Sequence, residues 1–137
     1  MKRNATAIWK GSGKDGKGTV STQSGLLKDA QYSYKSRFED GVGTNPEELV
    51  AAAHAGCFDM KLSFVLQEAG FTAESLETTA EVTLENGAVT KSHLTLRARI
   101  PGISQEQFDK AAEDAKANCP ISKLLNAELT LDKTLES

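Results

Sequence analysis

The chain has 137 residues, of which 39% are hydrophobic and 26% charged, with a formal net charge of −3. This is the composition of one ordinary globular domain over residues 1–137, able to bury a core without metal or disulfide staples, and it suggests neither disorder nor membrane burial. The acidic balance also argues against nucleic acid as the main partner, because phosphate binding needs a concentrated basic surface.

In the opening MKRNATAIWK, no apolar run follows Lys2 and Arg3 that could form the core of a secretory signal, and no later run approaches membrane-spanning length. The expectation is a cytoplasmic protein with no membrane partner. Ala5 to Lys10, Thr19 to Gln23 and Gln31 to Ser36 read as short strands, the first two joined by a glycine-rich hairpin. The Gly11 to Gly18 stretch lacks the spacing of a phosphate loop and no long helix follows it, so it is read as a turn. At Asn45-Pro46-Glu47-Glu48 a capping residue, a proline suited to the first helical position and two acids mark the start of a helix running to about Gly70. Its small residues, Ala51 to Ala53 and Ala55-Gly56, let another backbone approach closely. Ser75 to Leu84 and Thr90 to Ile100 alternate in the strand manner about an Asn86-Gly87 turn, which predicts an antiparallel hairpin. Ser104 caps a second helix, with Glu106 or Gln107 near the capping-box position. Pro120 forces Cys119 out of the helical region and opens a short helix to Leu125, and Glu128 to Leu135 forms a last strand. Strands grouped as hairpins rather than alternating with helices give an α+β class.

Cys57 and Cys119 are the two cysteines. A reducing cytoplasm disfavours a purely structural disulfide, so they are either inert buried thiols, the commonest role of free cysteine, or redox groups. Cys57 lies about three turns inside the long helix, too deep to gain from the field at its N-terminus. A free thiol titrates at about pH 8.5 and burial raises that value, so a reactive Cys57 needs a nearby cation. Arg3 sits near a chain end, and Arg97 with Arg99 fall on one outward strand face, which leaves Arg37. Glu47 could orient Arg37 through a forked contact, although an acid in a first helical turn more often serves the dipole alone. Glu47 and Cys57 are ten positions apart, about 15 Å along a continuous helix at ~1.5 Å per residue, so they cannot touch directly. One site containing both requires a break in the helix, a long reach by Arg37, or a twofold-related chain; the homodimer is the favoured arrangement. His54, three residues before Cys57, is a conceivable partner for its thiol. With His93 the only other histidine and no clustered Cys, His and acid, neither a metal site nor a bound cofactor is expected.

The segments Arg37-Phe38-Glu39, Gly43-Thr44-Asn45-Pro46-Glu47-Glu48-Leu49 and Ala51-Ala52-Ala53-His54-Ala55-Gly56-Cys57-Phe58, together with Asn118-Cys119-Pro120-Ile121-Ser122-Lys123, resemble the two signatures of the osmotically inducible protein C and organic hydroperoxide resistance family of peroxidases. The resemblance spans nearly the whole chain, including KGTVST in the opening hairpin and AGFT after the long helix. It implies an intertwined homodimer with sites at its interface, built from opening hairpin strands, a central helix, an antiparallel sheet, a helix pair and a C-terminal strand. It further implies that Cys57 is the peroxidatic residue, that Cys119 resolves it through a disulfide, and that Arg37 with Glu47 activates Cys57. Because the organic hydroperoxide resistance branch takes its arginine from the opening hairpin, Arg37 fits the osmotically inducible branch. The implied partners are an organic hydroperoxide, hydrogen peroxide more weakly, and an external dithiol of lipoyl type as reductant. A non-enzymatic redox sensor or stress-induced binding protein using the same thiols is the alternative reading.

Overall fold

Three short strands open the computed structural model, which describes residues 1–137. Strands β1 (Ala5–Lys10), β2 (Lys17–Thr22) and β3 (Ala30–Tyr32) form an antiparallel sheet in that order, with Ala5 opposite Thr22 and Gly18 opposite Tyr32. The rings of Trp9 and Tyr32 pack with centroids 5.4 Å apart, and a side chain at Gly18 would strike both. This contact explains why a strand carries glycine there.

The expected third strand is cut short. Gln31 to Ser36 does not stay extended, because Ser33 caps a helix, α1 (Tyr34–Phe38), and Ser33 and Ser36 exchange the two bonds of a capping box. Two serines at this spacing offer the backbone a helical start that outweighs the strand preference of the tyrosines. Ser36 also donates to the Thr44 carbonyl, and the Asn45 amide donates to the Ser36 carbonyl. The loop between them turns at Gly43, whose φ of +114° and closeness to the Gln31 carbonyl admit no Cβ.

Helix α2 (Pro46–Glu68) begins as expected: the Asn45 side chain accepts from the Glu48 amide at 2.8 Å, a cap worth about 1 kcal/mol. It ends two residues earlier than the hydrophobic run suggested, in a Schellman turn at Gly70, where Phe71 N–H bonds the Leu66 carbonyl and Gly70 N–H that of Gln67. The chain divides into two compact units, Met1–Leu49 and Val50–Ser137.

In the second unit, β4 (Ser75–Glu85) and β5 (Ala88–Arg99) pair antiparallel about Asn86 and Gly87, both at positive φ as a tight hairpin turn requires. Helix α3 (Gln105–Asn118) has the capping box anticipated at Ser104, with Gln107 as its second member. After α4 (Pro120–Leu124), β6 (Glu128–Glu136) joins β5 in parallel, giving the order β4-β5-β6. The expected antiparallel pairing of β4 with β5 is present, and the added parallel strand makes the sheet mixed. The α3–α4 connection carries the chain back across the sheet, and a parallel strand needs such a crossover.

Phe58, Leu62 and Leu66 of α2, Leu94 and Leu96 of β5, and Phe108 of α3 are completely or almost completely buried together. Their four-residue spacing on α2 and two-residue spacing on β5 aim one face of each element inward, each side chain contributing roughly 1.5–3 kcal/mol by leaving water. The other side of α2 is different: Met60 and Phe64 are 65% and 56% exposed. By length and composition α2 could cross a membrane, which the sequence reading missed because Asp59 and Lys61 interrupt its apolar run.

Candidate active site

Arg37 and Glu47 form a forked pair in the first unit. Arg37 stands in α1 and Glu47 in the first turn of α2; Nε donates to Oε1 at 3.0 Å and Nη2 to the same oxygen at 2.7 Å. The guanidinium also lies 5.2 Å from the Phe38 ring centroid. Stacking and forked bonding together fix the plane of the cation, which a lysine could not match. The carboxylate anticipated to serve the helix dipole thus also holds an arginine.

Cys57 and Cys119 meet in the second unit, both as free thiols. Cys119 is fully buried between α3 and α4, with the extended backbone that the following proline imposes. Cys57 is partly exposed and packs against the same core. Burial pushes the Cys57 thiol up, the backbone N–H of Ile121 pulls it down, and the charge and hydrogen bond of Cys119 add to the rise. The second sulfur is therefore close enough to the first to act on its charge. Within this environment Cys57 is protonated at neutral pH unless a cation is brought to it.

His54 does not pair with Cys57. It is completely buried, its Nδ1 bonded to Ser92 Oγ at 2.6 Å and its Nε2 to Ser122 Oγ at 2.8 Å. Ser122 Oγ in turn lies 3.0 Å from Cys119 Sγ. Burial lowers the His54 pKa, which keeps the ring neutral, with one nitrogen donating and the other accepting. Sequence reasoning missed Ser92 and Ser122. Ser92 had a legible signal, being the one polar residue in the inward series Ser92, Leu94, Leu96, Ala98.

Arg97 and Arg99 point outward as expected, both contacting Glu136. Asp59 accepts a hydrogen bond from Thr78, and burial raises its pKa against that bond. No three His, Cys, Asp or Glu side chains gather where they could hold a metal ion.

Residues 38–133 match the family model described as OsmC-like protein. The chain belongs to the OsmC-like protein family. An OsmC-like relative, the peroxiredoxin OsmC of Escherichia coli K12, is 50% identical over 98% of this chain and 97% of its own length. Among solved OsmC-like structures, an organic hydroperoxide resistance protein of Elizabethkingia anophelis superposes with a TM-score of 0.70 at 30% identity, covering 98% of this chain and 97% of that one. Another, from Legionella pneumophila, gives 0.71 at 26% identity over 100% and 98% of the two chains. The OsmC-like match takes in Glu47, Cys57 and Cys119 and begins one residue after Arg37.

Proposed function

We propose that this chain is a thiol-dependent peroxidase that reduces organic hydroperoxides, and hydrogen peroxide more weakly, with Cys57 as the attacking sulfur and Cys119 as the resolving one. The observation that carries this reading is the adjacency of two free thiols, one partly open and one buried, in a chain half identical to a peroxiredoxin. The Cys57 thiolate attacks the distal peroxide oxygen, the O–O bond breaks, and the alkoxide leaves as an alcohol once protonated. Cys57 becomes a sulfenic acid. Cys119 displaces its hydroxyl to form a disulfide and water, and an external dithiol, in our reading of lipoyl type, restores both thiols.

Arg37, oriented by Glu47, stabilises the Cys57 thiolate and the negative charge developing on the departing oxygen. Helix α2 is unbroken from Pro46 to Glu68, which removes a helix break as a way to join Glu47 to Cys57. Of the two arrangements left, a long reach by Arg37 and a second chain, we favour a homodimer in which Arg37 and Glu47 of one subunit serve Cys57 of the other. The exposed Met60 and Phe64 and the open small-residue surface at Ala52, Ala53 and Gly56 support this assignment. A cytoplasmic location accords with two cysteines that must return to the reduced state after each turnover.

The test is to mix reduced protein with cumene hydroperoxide and follow peroxide loss and bridge formation together. Cys57→Ser should abolish peroxide consumption. Cys119→Ser should give an initial burst and then accumulate sulfinic acid at Cys57. Equal, mild effects of the two substitutions would contradict the scheme, and a bridge that forms once without turnover in the presence of a dithiol would indicate a redox sensor.

A further inference from the structure

The scheme leaves unexplained how Cys119 loses its proton. A thiol sealed from water has no solvent base, and the thiolate is the form that attacks sulfur. Cys119 is fully buried, and its sulfur opens onto a line of polar atoms through the core: Cys119 Sγ, Ser122 Oγ, His54 Nε2, then His54 Nδ1 and Ser92 Oγ, with steps of 3.0, 2.8 and 2.6 Å. Four buried polar side chains from α2, β5, α4 and the α3–α4 junction meet here. Apolar residues of similar volume would fill this space without the cost of desolvating a histidine and two hydroxyls.

We infer that Ser122 and His54 form a proton relay that activates Cys119 for closing the disulfide. This rests on the peroxidase reading above. Cys119 S–H gives its proton to Ser122 Oγ while the Ser122 hydroxyl proton passes to His54 Nε2; Ser92 accepts from Nδ1–H and supports the imidazolium. The Cys119 sulfur pair then forms the S–S bond as the S–O bond of the Cys57 sulfenic acid breaks. The departing hydroxide recovers the proton from His54 by way of Ser122. The sum is one sulfenic acid and one thiol giving one disulfide and one water, with no net charge left in the core. Ser122 touches a reacting sulfur, whereas His54 and Ser92 act through it as positioning residues.

The arrangement also explains why His54, three residues from Cys57, does not contact that sulfur. Cys57 is partly exposed and its activation is assigned to Arg37, whereas Cys119 has no access to solvent and carries its base in the core. A histidine kept neutral by burial retains a free ring nitrogen at neutral pH, as the relay requires.

Rapid mixing of the reduced protein with an equimolar amount of cumene hydroperoxide separates the two steps. Peroxide loss in the first turnover reads the rate of sulfenic acid formation at Cys57, and acid quenching followed by alkylation reads the rate of bridge closure. Ser122→Ala should leave the first rate unchanged and slow the second by about 100-fold, the scale of a lost proton-transfer group. Ser122→Thr, which keeps the hydroxyl, should restore closure, and His54→Gln should slow it as Ser122→Ala does. Ser122→Ala removes a single oxygen and remains informative if His54→Gln fails to fold. Wild-type closure in Ser122→Ala would overturn the relay and leave the peroxidase reading standing. Absence of any dimedone adduct in Cys119→Ser, where no second sulfur consumes the sulfenic acid, would overturn both.

Discussion

Arg37 reaches Glu47 through two nitrogens of its fork, at 3.0 and 2.7 Å, and the carboxylate is only 13% exposed while the arginine is 38% exposed. The acid is thus the anchored partner and the cation the presented one. Replacing the fork by a single ammonium in Arg37→Lys keeps the charge and loses its aim, so kcat/KM for cumene hydroperoxide should fall by about 100-fold. Steady-state turnover at wild-type level in this variant would remove Arg37 from the chemistry.

The Cys57 thiol is pushed up within its own chain, chiefly by burial. If the guanidinium opposes that rise, removing it must favour the protonated form. In a Cys119→Ser background, Arg37→Ala should move the midpoint of the pH profile of Cys57 alkylation upward, so that alkylation at neutral pH slows. An unmoved midpoint would place the activating cation elsewhere.

His54 links acidity to stability. Its pKa in the fold lies below the unfolded value because burial penalises the charged ring. The unfolded chain therefore takes up a proton as pH falls below about 6.5, where the folded ring does not, and stability declines from there until the folded pKa is passed. Urea melts at several pH values should show this part of the acid-side decline in the wild type and not in His54→Gln.

Met60 and Phe64 test the assembly. Substitutions at exposed positions of a monomer usually change stability by about 0.5 kcal/mol or less. A Met60→Lys, Phe64→Lys double variant should instead shift the protein from dimer to monomer in sedimentation and lose peroxide turnover with it. A monomeric wild type with full turnover would show that the site needs no second chain.

Much of this architecture was legible because its signals are local. Proline after Asn45, the Asn86-Gly87 turn and the serine at 104 each fix backbone torsions within four residues; both helices begin as expected, and the strand after the turn starts at Ala88, two residues before the expected Thr90. The Ser33–Ser36 capping box is equally local, but tyrosines on both sides masked it as a strand. The parallel pairing of β6 was not legible, since alternation specifies which face is buried and not which neighbour a strand adopts. The Arg37–Glu47 contact was legible because a reactive thiol needs a cation and a cation needs an anchor. The Ser122–His54–Ser92 line was hidden because its members are 38 and 68 residues apart in sequence and meet only when α2, β5 and α4 have packed.

Strand β6 enters the sheet only after α3 and α4 have crossed it, and Cys119 rides on that crossover. A ribosome delivers Cys57 first, and at about 5–20 residues per second several seconds pass before its protector emerges. During that interval the first sulfur has no second sulfur to rescue it, and no hairpin formed early can supply one. In the proposed scheme that nascent sulfur is also unactivated, since no second chain has yet brought it a guanidinium, so its reactivity and its protection arrive together on assembly.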